Sequence, residues 1–367
     1  MNKKFKGDMN MFRKRFYFLL LAFTVLTLVA CSDNSNSTSS NDADASTNST
    51  SGGEKITIHA AHVVSTETTQ HKAFLEFKRL VEERSNGRIE VEIYPDGQLG
   101  GEREMIESTQ AGSIQMSSPS IGVLANFSSA LQIFDFPFIF KDTETAHKVV
   151  DGEFGQELLK GLEESGLVGL NYGELGYRHL SNNKGEIVSP EDVDGLKIRT
   201  MEVPMHIAFW KEIGANPTPL AFTEVFTSLS QGVVDGVENV LGLIHSGKFH
   251  EVSNYITTTG HIYDPEIYIM NKDFFTSLSE EDQEIIQTSI NDTVTYLRDL
   301  NSNLDAELRV MLEEEGAIFR DLSEEEYNAW IEASIPFYQK HADEVDKEKL
   351  IQLLEAAGND KFLDAIK

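Results

Sequence analysis

The chain has one cysteine, Cys31, in 367 residues. This excludes an internal disulfide framework, a multi-cysteine zinc site and a cysteine-ligated iron–sulfur cluster. Cations are scarce as well: 31 Lys and Arg stand against 60 Asp and Glu, a formal charge of −29. Such a surface repels nucleic acid and anionic headgroups, and the clustered basic footprint of a nucleic-acid binder is missing. Hydrolase and metalloprotease signatures are also wanting, with no G-x-S-x-G elbow and no H-E-x-x-H pair. What remains, 40% hydrophobic and 25% charged residues, suits a soluble globular protein with core enough for two lobes or one large domain.

The first thirty residues read as an address. Lys3, Lys4, Lys6, Arg13, Lys14 and Arg15 precede an uncharged apolar run from Phe16 to Ala30. As a helix this run spans about 22 Å, short of the roughly 30 Å bilayer core, so it suits a cleaved signal segment better than a permanent span. It ends Leu28-Val29-Ala30-Cys31, which resembles the lipobox of bacterial lipoproteins and implies lipid on the Cys31 thiol. Residues 32–53 hold only Ser, Thr, Asn, Asp, Ala and Gly, the composition of a flexible tether reaching roughly 25 Å. The folded part, expected from residue 54, would then sit just outside a membrane, where no ATP or NAD pool exists. No cofactor is expected.

Within the folded part, strands and helices alternate. Ile56–Ala60 and the period-2 run Arg88–Tyr94 read as strands, with a helix from Thr69 to Ser85 between them. A second helix, Glu102–Ala111, leads to a short strand at 114–117, and further strands are expected at 168–172, 196–199, 257–261 and 267–271. This pattern predicts α/β lobes. Ser279-Glu280-Glu281-Asp282 resembles a capping box and opens a helical pattern to about Glu314. That is either one helix of about 50 Å crossing two lobes or two helices broken near Asn301-Ser302-Asn303.

Most candidate chemistry dissolves on inspection. Gly242–Phe249 imitates a phosphate-binding loop, but Phe249 replaces the hydroxyl that would ligate magnesium. His59 and His62 are three apart on a strand and so face opposite ways, while His245 and His250 fit one helix face poorly. Structural or surface roles are expected for most of the histidines, and no metal. Arg199 differs, because it lies at the C-terminal end of a predicted strand, where open α/β sheets place ligands. A guanidinium there can grip a carboxylate through two parallel N–H···O bonds, although a surface salt bridge would also explain it.

Several motifs then fall in one order: Tyr94-Pro95-Asp96-Gly97-Gln98-Leu99-Gly100-Gly101-Glu102, Phe136-Pro137-Phe138, Gly176-Tyr177-Arg178-His179-Leu180, Gly195-Leu196-Lys197-Ile198-Arg199, Ala221-Phe222-Thr223-Glu224 and Gln231 through Asn239. Together they strongly resemble the DctP-type extracytoplasmic solute receptors of TRAP transporters, over essentially all of residues 55–340. The resemblance implies a two-lobed periplasmic-binding-protein-like α/β fold with a hinge and a long helix spanning both lobes. Lobe 1 would hold 54–175 and 264–304, and lobe 2 would hold 176–263 and 305–367.

The resemblance also implies a small organic acid as ligand, a C4-dicarboxylate or related carboxylate, handed to sodium-driven TRAP permease subunits. Arg199 matches the clamping arginine, Arg178 a second cleft arginine that could instead brace the hinge, Asn239 an amide on the carboxylate, and Phe222 an aromatic against the ligand. His62, Glu102 and Ser120 match positions that vary with the rest of the ligand, and Tyr172 is a candidate cleft wall. Val237 and Val240 replace a glutamine and a proline common in relatives, which puts the ligand set in doubt. The expectation is a monomeric receptor, not an enzyme, lipid-anchored on the extracytoplasmic side of the cell membrane. An ABC-linked or sensor-linked receptor, or a secreted hydrolase, are the alternatives.

Overall fold

Alternation builds the first unit. Ile89, Val91 and Ile93 alternate with Glu90 and Glu92 in strand β2 (Ile89–Tyr94), which pairs in parallel with β1 (Ile56–Ala61). The connecting helix, Thr69–Arg84, starts where the Thr68 hydroxyl accepts the His71 N–H at 3.2 Å, and it buries Phe74, Phe77 and Val81 against the sheet. It stops where Asn86 and Gly87 take left-handed φ values of 53° and 76°. There the Gly87 N–H closes on the Glu82 carbonyl at 2.8 Å. The chain is described here by a computed structural model over residues 55–367. The signal segment, Cys31 and the tether lie outside the described residues.

Nine further strands follow: β3 (Met116–Ser117), β4 (Leu167–Tyr172), β5 (Gly176–Asn182), β6 (Lys197–Thr200), β7 (Asn216–Pro219), β8 (Gly236–Val240), β9 (Tyr255–Asp264), β10 (Ile267–Asn271) and β11 (Ile318–Arg320). They form two mixed sheets, one ordered β2-β1-β3-β10-β4 and the other β11-β9-β5-β8-β6-β7. The chain passes between the sheets at Gly173–Leu175 and returns at Pro265–Glu266. This is a two-lobed mixed α/β fold.

The single long helix is not formed. Glu280–Asn301 packs on Thr69–Arg84 and β4, whereas Leu304–Glu314 packs on the helix Leu241–Ser246 of the second sheet. Between them the Ser302 hydroxyl caps the Asp299 carbonyl at 2.9 Å, and Asn303 leaves helical geometry. Small polar side chains that bond their own backbone loosen a helix, and here the break lets each half follow its own lobe.

Each sheet has its own apolar core. Ile58, Phe74, Met116, Tyr268 and Ile290 belong to the first sheet's core, and Val225, Val237, Ile256 and Leu308 to the second's. The largest core lies elsewhere. The C-terminal helices Glu324–His341, Lys347–Ala357 and Asp360–Ile366 bury Trp330, Phe337 and Phe362 in one cluster with Phe136, Leu158, Phe209 and Trp210. They touch both the helix Thr143–Asp151 and the helix Pro204–Glu212, so they bridge segments on either side of the first crossing. A small cluster, with Ala61 and Val63 meeting Val240 and Leu243, joins the ends of β1 and β8.

Candidate functional site

The two sheets turn their strand ends toward a common, narrow cavity. From the second sheet come Arg178 on β5, Arg199 on β6, Asn239 on β8, and Phe222 from the turn after β7. From the first come His62 just beyond β1, Glu102 at the start of the helix Glu102–Gln110, and Ser120. Seven of the eight expected ligand-site residues thus line one cavity. Tyr172 does not. Its ring is fully buried near Phe134 (centroids 6.5 Å apart), and its hydroxyl donates to the Gly155 carbonyl at 2.9 Å. A tyrosine at a sheet end can point to either face, and this one points into the core.

The two arginines differ in their partners. Arg178 is enclosed: Nε and Nη2 reach the Glu238 carboxylate at 2.5 and 2.9 Å, Nη2 the Glu238 carbonyl at 2.7 Å, and Nη1 Asp264 at 2.6 Å. Burial works against its charge, but Glu238 and Asp264 overcome this and hold its pKa raised. Arg178 therefore braces β5, β8 and the end of β9. Arg199 has only the Leu220 carbonyl, at 3.0 Å from Nε and 2.7 Å from Nη2, and its buried Nη1 has no partner. No carboxylate among the described residues forms an ion pair with it. Burial pulls its pKa down to about 10, with Arg178 adding to the fall against Glu238, and it stays charged at neutral pH.

Around these cations stand groups of the opposite kind. The Asn239 Oδ1 accepts the Val240 N–H at 2.9 Å, which leaves its amide N–H groups for the cavity. Glu102 accepts the Ser120 N–H at 2.8 Å, and the Ser120 hydroxyl donates to Asp264 at 2.6 Å. Burial, with Asp264 nearby, raises the Glu102 pKa. His62 Nε2 meets His71 Nδ1 at 3.0 Å, and burial followed by His71 lowers its pKa to about 3, so it is neutral. Phe222 tilts against Phe249 with centroids 5.6 Å apart, forming part of an apolar wall with Met201 and Leu243.

Three polar lining residues escaped the sequence reading: Ser118, Asp264 and Glu266. Asp264-Pro265-Glu266, two carboxylates flanking a proline inside an otherwise apolar stretch, was the available signal. Burial pushes Glu266 up to about 8. Glu238, behind the wall, was also missed as a partner of Arg178. Against the penalty of burial it is held well below the carboxylate range by Arg178, His206 and His261.

The histidine expectations fare unevenly. His245 and His250 do come together, their rings stacked 5.8 Å apart, each facing Glu315. The left-handed Lys248 turns the chain back between them, which helix geometry alone does not anticipate. Among the described residues no group of three or more His, Cys, Asp or Glu is arranged to hold a metal. Gly242–Ser246 lies in the helix Leu241–Ser246, with its backbone folded into helix and not into a phosphate cradle.

Comparison with known proteins agrees with this geometry. Residues 60–344 match the model of the bacterial extracellular solute-binding protein family 7, DctP. The 2,3-diketo-L-gulonate-binding periplasmic protein YiaO of Escherichia coli is 36% identical over 69% of this chain and 77% of its own. The sugar acid binding protein DctPAm of Advenella mimigardefordensis, solved with galactonate, superposes with a TM-score of 0.81 at 30% identity, covering 83% of this chain and 98% of the other. A TRAP periplasmic solute-binding protein of Sulfurospirillum deleyianum with bound succinate gives 0.78 at 32%, over 82% and 99%. With a cavity arginine free of any ion pair among the described residues and a family match over most of its length, the chain belongs to the DctP family of extracytoplasmic solute-binding proteins, receptors of TRAP transporters and not enzymes.

Proposed function

We propose that this receptor binds a small organic acid by its carboxylate on Arg199 and hands it to a sodium-driven permease. The carrying observation is the buried guanidinium with an orphan Nη1 and no carboxylate partner among the described residues. A buried, unpaired charge costs several kcal/mol, about 3–5 where a partner has been removed. A ligand carboxylate offsets that cost through charge-assisted bonds, with the Asn239 amide as a neutral second donor. Relatives that carry galactonate or succinate support a carboxylate as the common element.

Closure of the lobes about the Gly173–Leu175 and Pro265–Glu266 crossings would exclude water and strengthen those bonds. The ligand shifts the open–closed equilibrium by its greater affinity for the closed form. Lipid on Cys31 and the tether would keep this monomeric receptor near its permease. A thermal-shift screen of organic acids, followed by calorimetry on the best of them, tests the reading. The cognate acid raises the melting temperature, and Arg199→Lys weakens it about 100-fold because an ammonium cannot form the fork. Unchanged affinity in Arg199→Lys would sink the assignment.

A further inference from the structure

Arg199 shares the cavity with a wall from the first sheet and the second crossing, several of whose polar atoms lack a well-aligned protein partner. His62 Nδ1, Ser118 Oγ and Glu266 Oε1 are buried without a well-aligned hydrogen bond, although Ser118 and Tyr268 stand close enough to the Glu266 carboxyl to act on it, and all three residues line the same space. They come from three separate segments: the end of β1, the stretch after β3, and the second crossing. Buried polar groups are almost always satisfied, so a group of orphans on one wall marks a place where a ligand supplies the missing bonds.

The chemistry of the wall restricts that ligand. Glu102 and Asp264 are acceptors when ionised, Ser118 both donates and accepts, and neutral His62 does one or the other according to its tautomer. Arg178, the other cation of the cavity, is already enclosed by Glu238 and Asp264. A second ligand carboxylate would therefore meet Glu102 and Asp264 with no free cation to balance it. A hydroxyl, which donates to a carboxylate and accepts from a serine, fits every group present. We infer that this wall is a hydroxyl subsite, so that the receptor selects hydroxylated monocarboxylates and rejects C4-dicarboxylates. The inference rests on Arg199 holding the ligand's carboxylate.

Calorimetric titration of the full chain with D-gluconate, D-erythronate, butyrate and succinate tests it. The better of the two hydroxylated acids is expected to bind about 100-fold tighter than succinate, and tighter than butyrate by at least about tenfold, because lost hydroxyls leave buried groups unpaired. Ser118→Ala should weaken the hydroxylated acid about tenfold and leave butyrate unchanged. Glu102→Gln keeps the acceptor for the Ser120 N–H but removes a negative charge, and should narrow the gap to succinate by about tenfold. If succinate binds as tightly as the hydroxylated acids while Arg199→Lys abolishes both, the hydroxyl subsite falls and the arginine clamp stands. If no acid binds, or Arg199→Lys changes none of the affinities, the clamp falls and the subsite with it.

Discussion

Arg178 and Arg199 have the same side chain and nearly the same burial, and they do opposite things because of what surrounds them. Removing Arg178 would strand Glu238 and Asp264 without their cation. Arg178→Met is therefore expected to destabilise the protein by about 3–5 kcal/mol, read as a lower midpoint in urea denaturation. Arg199→Met removes an unpaired buried charge, so the apo protein should keep or gain stability while losing its acid. A stability loss in Arg199→Met as large as in Arg178→Met would contradict the distinction. The motifs around both residues marked them as cleft arginines. They could not tell the ion-paired arginine from the one without a carboxylate partner, since Glu238 and Asp264 lie 60 and 86 residues from Arg178 in the chain.

Among the elements, the crossings between sheets leave little room for change. A Cβ at Gly173 would stand 2.6 Å from Glu266 Cγ and 2.9 Å from the Tyr268 ring, far inside normal contact. Gly173→Ala should cost about 1–3 kcal/mol of stability through overpacking. It should also weaken ligand binding by displacing Glu266, and calorimetry at matched folding would show whether the second effect exists. Elements exposed on one face were legible: β2 announces itself by alternating Ile and Glu. Strands β5 and β8, which carry Arg178 and Asn239, were not read as strands from pattern, because almost every residue in them is buried and no alternation survives. Strand β7 was hidden by Pro217 and Pro219, which an edge strand tolerates.

For the whole molecule, the buried titrating groups set a pH window. His206 lies 3.4 Å from Asp135 and 3.9 Å from Glu238; despite its burial these carboxylates lift its pKa to about 9. A raised folded pKa stabilises fully below the unfolded value near 6.5, and that contribution is lost as pH rises through 9. Glu266, at about 8, behaves alike: its contribution is present below the unfolded pKa near 4.5 and is lost as pH rises through 8. His62 and His179, both lowered to about 3 chiefly by burial, act in reverse: their contribution is present above 6.5 and lost as pH falls toward 3. Stability should thus decline from pH 6.5 to 9, by at most about 1.4 kcal/mol per pH unit for each proton involved. His206→Gln should flatten part of that decline in urea melts, and an unaltered slope would exclude His206 as its source.

The sequence by itself determined the α/β class, the family, the first helices and strands, and seven of the residues that line the cavity. These follow from local periodicity, turn chemistry and motif order, all of which are written within a few residues of one another. Only the tertiary structure decided that Arg199, of the two cavity arginines, has no carboxylate partner, that Tyr172 turns into the core, and that the helix breaks at Ser302–Asn303. It also decided that Ser118 and Glu266 join the opposite wall. Each of these depends on which distant side chains arrive at the same place, and burial makes those meetings strong enough to set both charge and binding.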